Sequence, residues 1–116
     1  MPTIDDLLGG RCHEYTKGSP TLTPAEVQAR LPLVPGWELV DDGKGIRLIQ
    51  RMADFQTVID FVVEVAKIAE EQQHHPDIQV RSYRTLQLDF STHSIGGLTD
   101  NDFIMAARVN ALRRQA

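Results

Sequence analysis

Cysteine is almost absent: Cys12 is the only one in 116 residues. One thiol excludes an internal disulfide, and with it a stapled secreted scaffold, and it cannot build a multi-cysteine zinc site. No stretch approaches 18 apolar residues, so no membrane-crossing helix is expected. The first ten residues hold two aspartates where a signal peptide would carry basic residues, so a cytoplasmic, reducing setting is the expectation. Basic charge is scarce too, with 12 Lys and Arg against 16 Asp and Glu and a formal net charge of −4. Direct nucleic-acid binding needs a clustered basic surface and is not expected. Arg108, Arg113 and Arg114 cluster near the end of the chain, where they also complement a helix dipole. Repeats and low-complexity runs are missing, and Gly96-Gly97 lacks the lysine of a phosphate-cradling loop.

What remains is 41% hydrophobic and 24% charged residues, enough for one packed domain. Residues 1–20 are punctuated by Gly9, Gly10, Gly18, Ser19 and Pro20, with weak apolar periodicity. They read as an arm on the domain or partly ordered, with an optional short helix around Ile4 to Leu8. Thr23-Pro24-Ala25-Glu26 is a capping box with proline at the first helical position, and Pro32 and Pro35 stop the helix it starts. Trp37 to Val40 and Ile46 to Arg51 read as strands around the turn Asp41-Asp42-Gly43-Lys44-Gly45.

A long helix is predicted from Asp54, its N-cap, to Gln73, with a stripe through Phe55, Val58, Phe61, Val62, Val65 and Ala69. His74-His75-Pro76 ends it, because a residue before proline leaves the helical region. Ile78 and Val80, then Leu86, Leu88 and Phe90, alternate as two further strands with a turn near Arg84. Thr99-Asp100-Asn101-Asp102 makes a second capping box before a last helix. The order α-β-β-α-β-β-α predicts an α+β two-layer domain, a four-stranded antiparallel sheet with helices on one face. Its open edges invite pairing into a dimer.

His74, His75 and His93 lie at element boundaries, and a hairpin of the last two strands would bring their ends to one sheet edge with Asp102. Imidazoles titrate near neutrality, so such a cluster suits proton transfer to and from a small substrate. The plain alternative is exposed histidines at helix and strand ends, with Asp102 only half of a capping box. Zinc could take three imidazoles, but adjacent His74 and His75 point apart. Cys12 beside His13 is adjacency without an activating environment.

Taken together, Leu22-Thr23-Pro24, Pro35-Gly36-Trp37, Glu70 with His74-His75-Pro76, Tyr83, Thr92-His93, Gly96-Gly97-Leu98-Thr99 and Asp102 resemble the pterin-4a-carbinolamine dehydratase family. The resemblance runs from Leu22 to Leu112 and implies a dehydratase-like domain over residues 21–116 that forms dimers or tetramers. Active members eliminate water from 4a-hydroxytetrahydropterins without metal or organic cofactor. Carried over by position, the resemblance implies His74, His75 and His93 as acid–base groups and Asp102 as their supporting carboxylate. It implies Glu70, Pro76, Tyr83 and Thr92 around the substrate.

Two departures matter. Asn101 stands where active members commonly carry arginine, and six residues separate Pro76 from Tyr83 where many have five. If the strand runs on to Tyr83, either Tyr83 turns to the opposite face or Ser82 sits in a bulge, and the cleft wall moves. With the loop from Thr92 to Thr99, this spacing is similar to a branch found with carboxysomes and in chloroplasts. The resemblance therefore implies a RuBisCO assembly factor with little or no dehydratase activity, carboxysome-associated and partnered by RuBisCO subunits. The alternative is an active dehydratase with a pterin substrate. A third class, partner binding in transcription as in some animal members, has no residue arguing for it.

Overall fold

The computed structural model describes residues 2–115. Its elements are α1 (Ile4–Gly9), α2 (Pro24–Arg30), β1 (Trp37–Val40), β2 (Gly45–Arg51), α3 (Phe55–Gln72), β3 (Asp77–Arg81), β4 (Thr85–Phe90) and α4 (Asp100–Gln115). The strands form one antiparallel sheet in the order β1-β2-β4-β3. The α+β expectation holds.

Register decides which face meets the helices. Trp37 pairs with Leu48, Ile46 with Phe90, and Leu48 with Leu88, so these side chains share one face, and all are buried. The other face carries Glu38, Arg47 and Asp89, and Arg47 and Asp89 are cross-strand partners joined by an ion pair at 2.8 Å. From α3 the core takes Val58, Phe61, Val65 and Ala69, the 3.6-residue stripe read in the sequence. α4 is buried all round from Asn101 to Ala107 because α1, α3 and β4 all pack against it. Each fully buried aliphatic or aromatic side chain here contributes about 1.5–3 kcal/mol.

Local chemistry sets the helix ends. Asp54 caps α3 by accepting from Thr57 N at 2.8 Å, and Thr23 with Glu26 forms the capping box of α2. The optional first helix is present with its own box, Thr3 with Asp6, and its Leu7 lies in the core. α3 ends one residue before the proline argument places it. Gln73 takes a left-handed conformation, φ 52°, and the N–H of His74 reaches back to the Ala69 carbonyl at 3.2 Å. This doubled-back ending, more than Pro76, aims His74 at the start of α4.

The spacing argument at Tyr83 is corrected. β3 stops at Arg81, and Ser82 and Tyr83 are both left-handed, φ 48° and 57°, in a turn that closes on the Arg81–Thr85 pair. The additional residue enters neither a bulge nor the opposite face; it is absorbed in the turn. Ile78 and Val80 alternate as expected, yet β3 is an edge strand and both remain exposed, at 40% and 37%.

Candidate active site

Asp102 is the centre of the site. It lies in the first turn of α4 and has no solvent exposure. One carboxylate oxygen, Oδ2, accepts from Thr99 N at 2.9 Å, which is the capping-box bond, and from Thr92 Oγ1 at 2.9 Å. The other, Oδ1, faces His74 Nε2 at 2.6 Å. The cap occupies one oxygen of Asp102 and leaves the other for an imidazole.

The hydroxyls around it have a fixed direction. Because Thr92 gives its proton to Asp102, Thr99 Oγ1 donates to Thr92 at 2.8 Å and itself accepts from Asn101 N at 3.2 Å. With Asp102 accepting on both oxygens, the network assigns the proton of the contact to His74 Nε2. Nδ1 is then the basic nitrogen, and no hydrogen bond occupies it among the described residues. The His74 ring stacks on Phe90 at 5.9 Å and 10°, which holds its plane.

The remaining expected residues divide. His93 follows Thr92, opens the 3-10 turn His93–Ile95, and places Nε2 3.4 Å from Ser91 Oγ on an exposed rim. His75 turns away from His74 and pairs with Glu70 Oε2 at 2.5 Å, both side chains half exposed or more. Pro76 joins these residues to β3. Thr92 is buried and donates its hydroxyl proton to Asp102. Tyr83 is not brought to the site within the chain. It sits 60% exposed in the far turn of the β3–β4 hairpin, roughly 20 Å away at the usual strand rise. No cluster of three or more His, Cys, Asp or Glu with metal-holding geometry forms among the described residues.

Sequence reasoning missed Thr99 as a ligand of the site and Phe90 as its platform. The first was visible in the capping box; the second follows only from the sheet register.

A family profile described as Pterin 4 alpha carbinolamine dehydratase matches residues 20–112. The chain belongs to this family. A Stenotrophomonas maltophilia (strain K279a) protein bearing the pterin-4-alpha-carbinolamine dehydratase name is 37% identical over 99% of this chain and 98% of its own length. The mitochondrial pterin-4-alpha-carbinolamine dehydratase 2 of Arabidopsis thaliana is 39% identical over 96% of this chain and 61% of its own. Among solved structures, a transcriptional coactivator/pterin dehydratase from Brucella melitensis superposes with a TM-score of 0.75 at 32% identity, covering 80% of this chain and 98% of that one. The dehydratase-family fold expected from Leu22 to Leu112 thus stands.

Proposed function

We propose that the protein dehydrates 4a-hydroxytetrahydropterins by histidine acid–base catalysis. The observation that carries this is the buried Asp102 carboxylate held by Thr92 and Thr99 and bonded to His74. In the reaction, the C4a–OH bond breaks, the N5–H proton is removed, and the N5 electron pair forms the new C=N bond of the quinonoid product. His74, oriented through Nε2, takes the N5 proton on Nδ1, and its imidazolium is stabilised by Asp102. His93, on the exposed rim, gives a proton to the departing hydroxyl, and water leaves. One proton is taken and one is given, and solvent exchange resets the two rings. His75 with Glu70 borders the entrance, where it meets the polar edge of the heterocycle.

The position of the additional residue meets the spacing part of the case for an inactive cleft. The additional residue lies in the Ser82–Arg84 turn, at the other end of β4 from Thr92. Steady-state dehydration of 4a-hydroxytetrahydropterin tests the reading: His74→Ala and His93→Ala should each lose about 10²-fold or more. A variant as fast as the wild type would dismiss it.

A homodimer through the β3 edge fits this reading. Antiparallel pairing of two copies about Gln79 sets Asp77 against Arg81 twice and Ile78 against Val80 twice, matching opposite charges on one face and exposed apolar residues on the other. A second functional reading, the RuBisCO assembly factor associated with carboxysomes, is favoured by one feature: an exposed aromatic, Tyr83, displayed on a strained turn. Co-expression that leaves the yield of assembled RuBisCO unchanged across several forms would remove it.

A further inference from the structure

Residues 10–15 run across the back of the site, and each anchor lies one or two residues from a site residue. Cys12 N donates to Gln72 Oε1 at 2.8 Å, two residues before His74. His13 N donates to Asn101 Oδ1 at 3.1 Å, and Asn101 Nδ2 donates back to His13 O at 2.7 Å, one residue before Asp102. Ser94 Oγ, one residue after His93, donates to Tyr15 O at 3.3 Å. Upstream, Arg108 holds the Gly10 carbonyl at 2.7 Å; downstream, Leu22 N bonds Leu98 O at 2.9 Å. Asn101 is only 3% exposed, and its whole amide is committed to this segment.

We infer that the segment Gly10–Tyr15 is a strap that fixes the mutual position of the three stretches bearing His74, His93 and Asp102, with Asn101 as its principal positioning residue. The inference rests on the dehydratase reading for its effect on rate, but the strap is defined by the hydrogen bonds alone. Without it, the hydrogen bonds that tie the end of α3 and the loop after β4 to the start of α4 are those of Asp102 and Thr99, added to the apolar packing of the helices. The family profile begins at residue 20, so the strap lies outside the matched span. Asn101 grips the strap through both backbone groups of His13. Tyr15 closes the same region: its ring packs on His13 at 4.3 Å, and burial raises its hydroxyl pKa.

The test uses the full chain carrying Asn101→Ala and, separately, Gln72→Met, which removes one acceptor while keeping helix propensity and volume. Cys12 is the only cysteine, so its reaction rate with a thiol reagent reports release of the strap directly. The expected result for either folded variant is a rise in that rate of about tenfold or more. With it, kcat should fall by about tenfold or more while KM stays within about twofold. The pH profile of kcat/KM and the ring nitrogen NMR signals of His74 and His93 should shift as well. A released strap with unchanged kcat, pH profile and ring signals would overturn the inference, as would a Cys12 no more reactive than in the wild type. If the wild type itself shows no turnover, the dehydratase reading falls, and the ring signals against Cys12 reactivity decide the strap by themselves.

Discussion

Replacing Asp102 by asparagine isolates what the buried carboxylate does. The new amide has two orientations, and the structure selects one. The oxygen at the Oδ2 position must accept from Thr99 N, a backbone donor that cannot reverse, and from Thr92 Oγ1, both at 2.9 Å. The amide NH2 therefore faces His74 Nε2, where Oδ1 stood at 2.6 Å. His74 then has to accept at Nε2, so its proton moves to Nδ1, the nitrogen that must be free to take a proton from the substrate. In Ser-His-Asp enzymes this loss of tautomer costs about 10⁴ in kcat, and a lost general base costs about 10²–10⁴. All three hydrogen bonds can persist but lose the carboxylate's charge, which should cost about 1–3 kcal/mol, or a Tm lower by roughly 5–15 °C. Asp102→Ala, by contrast, strands the Thr92 and Thr99 donors in a site without water exposure and should cost roughly 3 kcal/mol or more. The assay is steady-state dehydration of 4a-hydroxytetrahydropterin beside thermal melts of both variants. An Asp102→Asn protein with wild-type kcat and an unchanged pH profile would refute the assignment of His74 as a base oriented by Asp102.

Three other outcomes follow from single contacts. Arg81→Asp should weaken a β3-edge dimer by about tenfold in Kd, since it creates two like-charge pairs with Asp77, and the double variant with Asp77→Arg should restore it in sedimentation velocity. Burial, with a smaller push from Asp102, raises the Cys12 thiol to about 11, so its thiolate fraction at neutral pH falls about a hundredfold below that of a free thiol and alkylation should be correspondingly slow. Because this pKa is raised by folding, its stabilising effect is present below the ordinary value of 9.0 and is lost as pH rises toward 11. Melts of the wild type should therefore fall more steeply over that window than melts of Cys12→Ala. Trp37→Phe removes the 2.9 Å indole donor of Asn110 Oδ1, which keeps Arg113 at 2.8 Å, and should cost about 0.5–1.5 kcal/mol by denaturant unfolding.

Legibility in the sequence followed the range of the interaction. Capping boxes at Thr23 and Thr99 and the cap at Asp54 join residues three apart, so composition alone locates them. The stripe on α3 is equally local in origin. Gln73 is different: glutamine has no preference for a left-handed backbone, yet its φ of 52° closes α3 by turning the N–H of His74 back to the Ala69 carbonyl. The strand argument at Tyr83 assumed that pairing continued past Arg81, whereas two consecutive left-handed residues, neither of them glycine or asparagine, carry the turn. The strap was illegible for a third reason. Its bonds join residues 60 and 88 apart through a glutamine and an asparagine, and such side-chain-to-backbone bonds leave no periodicity behind.

Asp102 shows why a cautious reading and a catalytic one need not compete. A capping carboxylate uses one oxygen and lies at the positive end of a helix, where a negative charge is stabilised. Burying the second oxygen without a donor would carry the desolvation cost of a charged group. Here that donor is His74, delivered by the left-handed ending of α3 and clamped against Phe90. The cap thus anchors the carboxylate rigidly to α4, and the unfilled demand of its other oxygen fixes the tautomer of the imidazole. It follows that the proposed acid–base pair depends on a hydrogen bond of the fold, Thr99 N to Asp102 Oδ2. Thr99→Pro deletes that donor together with the hydroxyl bonds to Thr92 and from Asn101 N, so it should free the carboxylate to rotate and lower kcat and Tm together. Thr99→Val, by contrast, keeps the N–H and should lower Tm with a smaller loss of kcat.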